Sequence, residues 1–275
     1  LELSEDEVKL IKPYYNSSDN VARYMVGTTD LSIIYTPSTF KNPRSMDSYP
    51  HLKAHLDKFR DVISSDNKPY GLHRARVESF FVGEKIVALR KCAGRPIFAY
   101  ANGLNYMSAT FYVIKTNRVN MKYLTGLLNS KLIEFWLKNK GKMQGANYQL
   151  DKEPLQQIPI AVPSNDVQET IAKLVDMIIL LNTTDVRASE LVQNSYISSE
   201  LEKLIDGCIY EIYLPREMAG MSVITVLRNY IKQKDSISID DIWKLYMKID
   251  STGIIESLNS LSLSNSETLR TIILS

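Results

Sequence analysis

The stretch NKGKMQGANYQLDKEPLQQIPI, residues 139–160, stands between two kinds of sequence. Upstream of it, β-prone runs alternate with helical patterns; downstream, only helical patterns follow. Two lysines and two glycines surround amides and a tyrosine, and two prolines then enclose a short apolar run. Placed directly after a helix that reads as core, these residues suit a surface loop that holds something polar and negatively charged. An ordinary connection is the other reading.

Working back from this stretch, VNMKYLTGLLNSKLIEFWLKNKG reads as one helix burying Leu124, Leu127, Leu128, Leu132, Phe135 and Trp136, with Gly141 as its C-cap. LSIIYT, EKIVALRK and ATFYVIK read as strands. Asn102-Gly103 between PIFAYA and LNYMS gives the commonest two-residue hairpin signal. Leu52, Leu56, Phe59 and Ile63 recur at helical spacing in YPHLKAHLDKFRDVISS, and Ser4 is placed to cap a first helix. Working forward, the character changes at the Pro-bounded PIAVP. Asn165 with Gln168 then looks like a capping box before the stripe Val167, Ile171, Leu174, Val175 and Ile178. Leu201 to Ile212 carries a second stripe, and further helices are expected at about 217–233, 238–249 and 264–274. The fold class is therefore α+β: a mixed α/β domain over residues 1–160, followed by an all-helical C-terminal region over 161–275.

With 275 residues, 44% hydrophobic and 23% charged, the chain has the composition of a soluble globular protein long enough for two domains. The longest apolar run, LVDMIILL, is too short to span a bilayer and carries Asp176, so no membrane partner is expected. No signal peptide is legible, the start at Leu1 reads as that of a fragment, and the isolated Cys92 and Cys208 suit a reducing cytoplasm. The net charge of +2 hides an asymmetry. Residues 1–160 hold 23 Lys+Arg against 15 Asp+Glu, whereas residues 161–275 hold 10 against 16. Between Lys68 and Lys142 the count is 14 against 3, with only Glu78, Glu84 and Glu134 acidic. So one-sided a run points to a polyanionic partner or to a solvated basic face.

Catalytic patterns are missing. His51 and His55 have the one-turn spacing of a zinc protease in HLKAH, but Leu52 stands where the general base belongs. There is no nucleophile elbow, phosphate-binding glycine loop or dinucleotide fingerprint, and no carboxylate cluster suggests a two-metal nuclease. The short Pro-Pro-aromatic segment of amino-methylating DNA methyltransferases is also absent. The chain reads as a binding module.

Five stretches occur in an order that carries a resemblance: LIKPYYNSSDNVARY, YPHLKAHLDKFRDVIS, LHRARVESFFVGEKIVALRK, YLTGLLNSKLIEFWLKNKGKMQGANYQLDKEPLQQIPI and ELEKLIDGCIYEIY. Over residues 1–213 the chain resembles the C-terminal target-recognition region of type II (IIG-like, TaqI-type) adenine-specific DNA methyltransferases. The specificity subunits of type I restriction systems share its outline. The resemblance implies a domain that reads a short sequence in double-stranded DNA, then a strand at Ile158–Ile160 leading into helices that dock on a methyltransferase domain of the same or a partner chain. That domain, not this fragment, would hold S-adenosylmethionine. Asn20-Val21 before Arg23-Tyr24 departs from the family pattern, as do Leu72 and His73 beside Arg74.

On this reading Lys140, Lys142, Gln144 and Asn147 meet DNA from the opening stretch, lysines at phosphates and amides at adenine edges. Arg74 and Arg76 would share a face if extended, and Arg90, Lys91 and Arg95 border the expected hairpin, where an arginine can clamp guanine. Lys85 and Tyr148 read as structural, and Arg23 as an internal ion-pair partner. The expected function is the specificity part of a restriction–modification or phage-defence methyltransferase, non-catalytic in itself. The alternative is an assembly module that docks on a methyltransferase or nuclease without reading DNA.

Overall fold

The computed structural model describes residues 2–231 and 237–275. Ser4 caps α1 (Glu5–Val8) through a reciprocal pair of hydrogen bonds with Glu7. The strands β1 (Ile11–Tyr15), β2 (Val21–Ala22), β3 (Tyr24–Val26) and β4 (Ser32–Ile34) follow. The next helix, α2 (Pro50–Asp57), is shorter than its apolar stripe suggests. Leu52 enters a small separate core with Phe40, Met46 and Tyr70, but Phe59 reaches no core, meets the His55 ring at the surface and stays 47% exposed. A stripe sustains a helix only where a core receives it. Tyr49 at the N-cap supplies no side-chain bond, and the buried Glu7 carboxylate takes over, accepting from His51 N at 2.7 Å and Leu52 N at 3.0 Å.

The main sheet is built from β5 (Lys85–Leu89), β7 (Phe98–Ala101) and β9 (Phe111–Ile114), with β6 (Lys91–Ala93) and β8 (Tyr106–Met107) diverted elsewhere. Its order is β2-β3-β7-β5-β9, and all five residues of β5 are buried, so both faces are covered. The hairpin expected at Asn102-Gly103 does not form. β8 leaves the sheet and pairs in parallel with β1, which also pairs with β4. The cause lies in Lys85, whose Nζ donates to Gly83 O and Gly103 O at 2.9 Å each. Satisfying that ammonium draws both loops over it, and burial pushes its pKa down to about 8.

The long helix expected after β9 is two helices, α3 (Met121–Asn129) and α4 (Lys131–Lys140). Asn129 ends the first by bonding both the N–H and the carbonyl of Phe98 on β7. Ser130 then adopts ψ 157° and caps the second. Beyond the hairpin described below come α5 (Lys152–Gln156) and an extended segment; Ile158–Ile160 is not a strand. α6 (Asn165–Thr183) starts one residue before the expected capping box, at Ser164. Gln168 instead accepts from Asn120 N at 2.8 Å and donates to Pro163 O, tying α6 to the start of α3. Then follow α7 (Asn194–Tyr213), α8 (Val223–Ile231), α9 (Ile239–Asp250), α10 (Ile254–Asn259) and α11 (Glu267–Leu274). α10 was not anticipated, and Lys232 and Gln233 of the helix expected at 217–233 lie outside the described residues. The class is α+β, with helices as the regular elements after residue 160 among the described residues.

One buried apolar cluster runs from Tyr15 to Ile272 without a break at residue 160. α3 lies between the main sheet and helices α6 and α7, and Gly126 allows that approach. A Cβ there would sit 3.0 Å from Ile171 Cγ2 and 3.2 Å from Val175 Cγ2. No helix among the described residues is long and apolar enough to cross a membrane.

Two outcomes are expected. Gly126→Leu should lower the unfolding free energy by about 1–3 kcal/mol through overpacking, seen as a shift of the urea midpoint; an unchanged midpoint would show that the helices part freely there. Burial alone would raise the Glu7 pKa, but bonds from Ser4 N, the His51 ring, Leu52 N and His51 N hold it at about 2, below its ordinary 4.5. Its contribution to stability is present above about 4.5 and is lost as pH falls toward 2. Glu7→Gln should flatten the stability profile in that window; a profile parallel to wild type would refute the assignment.

Candidate nucleic-acid interface

The opening stretch folds as a β-hairpin. β10 (Lys142–Gln144) and β11 (Asn147–Gln149) pair antiparallel across the two-residue turn Gly145-Ala146, and Gly145 has φ 62°. Positive φ at the first central position is what a type II′ hairpin turn demands. Gly141 is equally local in its cause: a Cβ there would lie 2.4 Å from Leu137 O, so only glycine lets α4 pass straight into β10. β11 then pairs with β6, giving a three-stranded sheet in the order β10-β11-β6.

Register sorts its side chains. Met143, Tyr148 and Cys92 stand side by side, and Tyr148 and Cys92 are buried. The alternate rows are Lys142–Gln149–Lys91 and Gln144–Asn147–Ala93, which share the opposite face. Lys91, Lys142, Gln144 and Asn147 are all exposed there. Gln144 and Asn147 are directly paired at the hairpin tip, and neither side-chain amide bonds to another described residue. Lys140, exposed at the end of α4, adds a cation beside the hairpin base. Five of the nine candidate residues are thus gathered by one supersecondary element and its partner strand.

Arg90 precedes β6. Its guanidinium lies 5.1 Å from the Tyr112 ring centre and donates to Ala109 O at 3.2 Å. It lines a groove of about 270 Å³ together with Arg76, Phe80 and Ser108. Arg74 and Arg76 do not continue one strand, because His73 and Arg74 form a turn; both side chains are exposed.

Arg95 is a correction. It faces inward, with Nε 2.6 Å from Glu134 Oε2 and Nη1 3.3 Å from Glu202 Oε2. Arg23 joins the same carboxylate at 2.6 Å and donates to Asn129 O at 2.9 Å, the internal pairing expected of it. Nearby Asp206 is half-buried, and desolvation pushes its carboxyl up to about 7 even though it accepts from Lys131 N and faces Arg95 and Arg23. With Nε and Nη1 on carboxylates, most of this guanidinium is already taken up within the fold. Sequence could not reveal this, since Glu202 lies in the acidic half. Of the run's three acids, Glu134 is buried against Arg95, while Glu78 and Glu84 stay exposed and accept from Tyr106 and Tyr100. Among the described residues no group of three His, Cys, Asp or Glu is placed to hold a metal. His51 Nδ1 faces Glu7 instead.

The pattern of the TaqI-like C-terminal specificity domain matches residues 12–160. Among solved structures, the type IIL restriction–modification enzyme MmeI in complex with DNA is similar over 98% of this chain, with a TM-score of 0.50 and 13% identity. The chain spans 30% of that enzyme's length. No match was found among curated proteins.

Glu202→Ala would leave Arg23 and Arg95 short of a partner in a half-buried setting. A loss of about 1–3 kcal/mol is expected on chemical denaturation. An unaltered midpoint would mean that the cluster is solvated and dispensable.

Proposed function

We propose, for a chain that belongs to the TaqI-like C-terminal specificity domain family, that it reads a short sequence in double-stranded DNA as the specificity part of a restriction–modification adenine methyltransferase serving phage defence. It carries no chemistry of its own. The observation that carries this reading is the outward face of the β6–β11–β10 sheet, with unpaired amides at the hairpin tip and lysines at its base. A two-stranded ribbon fits the major groove of duplex DNA. With the tip inserted, Gln144 and Asn147 lie where base edges present donors and acceptors, and Lys140, Lys142 and Lys91 lie toward the phosphates. Arg90, steadied on Tyr112, is the arginine best placed for a guanine. The structural neighbour described above is itself a DNA complex, which supports the same partner for this chain.

We place S-adenosylmethionine outside this chain's own residues. The connection from β9 into α3, residues 115–120, contains no glycine, and no other glycine-rich turn leads from a strand into a long helix among the described residues. We assign the cofactor and the methyl transfer to a methyltransferase domain of the same or a partner chain, on which the helices after residue 160 dock.

Binding to duplex DNA should weaken steeply with salt. Roughly five phosphate contacts give a slope of log K against log salt of about −4 to −5. Replacing Lys140 and Lys142 together with alanine should weaken binding to every sequence and flatten the slope by about 2. Gln144→Ala should instead relax preference at one base pair, at about 1–3 kcal/mol. Fluorescence anisotropy with labelled duplexes at several salt concentrations separates the two. If none of these substitutions alters affinity or slope, the basic face is incidental and the assembly-module reading replaces this one.

A further inference from the structure

Next to the proposed reading face, residues 76–82 form a turn that holds apolar side chains out into solvent. Val77 is 67% exposed and Phe80 47%; Val82 and its bridge partner Leu104 are also exposed. Phe81, one residue on, does the reverse. It is buried against Tyr35 and Tyr106, with ring centres 6.1 and 4.8 Å away. Consecutive phenylalanines therefore have opposite environments, one anchoring the turn and one presented by it.

The turn is fastened at each step. Tyr35 Oη donates to Arg76 O at 2.5 Å, and Tyr106 Oη donates to the Glu78 carboxylate at 2.5 Å. Lys115 Nζ donates to Ser79 O and Val82 O at 2.7 Å each. Nothing about this is a loose loop whose phenylalanine merely failed to find a core. The conformational cost of holding Phe80 outward is met within the fold, and its apolar surface is left unburied.

The surroundings indicate what covers it. Phe80 shares its groove with Arg76 and Arg90, and Arg74 lies two residues before Arg76. The acid of the turn, Glu78, is engaged by Tyr106. Protein interfaces deplete charge at their apolar core, whereas proteins that deform duplex DNA combine cations for the phosphates with an apolar wedge between base pairs. Resting on the DNA-reading function proposed above, we infer that Phe80 is a wedge that enters a base-pair step of the bound duplex, with Arg76 holding an adjoining phosphate and Arg90 at the neighbouring base pair. Unstacking a step would let the protein sense deformability at a position whose base edges the hairpin does not touch.

The test uses the chain with Phe80→Ala and Phe80→Trp, measuring duplex binding against salt and the unwinding of a closed circular plasmid relaxed by topoisomerase in the protein's presence. Wild type should shift the linking number. Phe80→Ala should keep the salt slope, lose about tenfold in affinity, as expected for one aromatic stacking contact, and lose the unwinding. Phe80→Trp should restore both. If wild type binds with the expected slope yet does not unwind, or if Phe80→Ala unwinds as wild type does, the wedge is refuted while the reading face stands. If wild type shows no salt-dependent binding at all, the DNA-reading function fails, and the wedge with it.

Discussion

Glu202 lies on α7, yet its carboxylate is bonded by Arg23, at the junction of β2 and β3, and by Arg95, between β6 and β7. Through Arg95 the link continues to Glu134 on α4. Strand ends, the helix that leads into the hairpin and the first long helical pair are thereby fixed to one another at a single half-buried cluster. The price is visible in the backbone: Tyr24, buried next to Arg23, holds φ 73°, a conformation non-glycine residues rarely adopt. Such a residue persists only when its surroundings over-determine it, and here Arg23 is held by Glu202 and Asn129 O while its guanidinium lies 5.5 Å from the Tyr24 ring. The position of the β6–β11–β10 sheet depends on this cluster, since β6 and α4 both meet it.

What the sequence disclosed were elements whose causes are local. Ser4 and Glu7 lie three residues apart, so the first cap was legible. The stripes of α6 and α7 were legible because each repeats over several turns. The errors share the opposite character. Asn102-Gly103 has hairpin chemistry, but the chain there answers to Lys85, a buried ammonium that needs carbonyls from both loops. The break at Ser130 depends on Phe98, thirty-one residues away from Asn129. Helix α2 ends early because the core beneath it is small, which its own residues cannot express.

The candidate site divides along the same line. KMQGANYQ alternates polar and apolar positions around a glycine, and that pattern contains the hairpin and its outward face; taken as a loop, the stretch still yielded Lys142, Gln144 and Asn147. The pairing of β11 with β6 was hidden, because cross-strand registry over more than fifty residues leaves no spacing to read. Arg95 was misplaced for an electrostatic reason: counting charges along a run cannot see carboxylates that arrive from another element.

The hairpin has a consequence for how such a chain changes over generations. Its inward row, Met143, Tyr148 and Cys92, meets the core, while Gln144 and Asn147 touch no other described side chain through hydrogen bonds and Gly145 has open space around it. Mutations at Gln144 and Asn147 are therefore nearly neutral for folding, because no packing or satisfied polar group is lost there. A lineage can drift through many outward pairs without crossing a stability threshold, and under the proposed function selection then acts on which duplex each pair prefers.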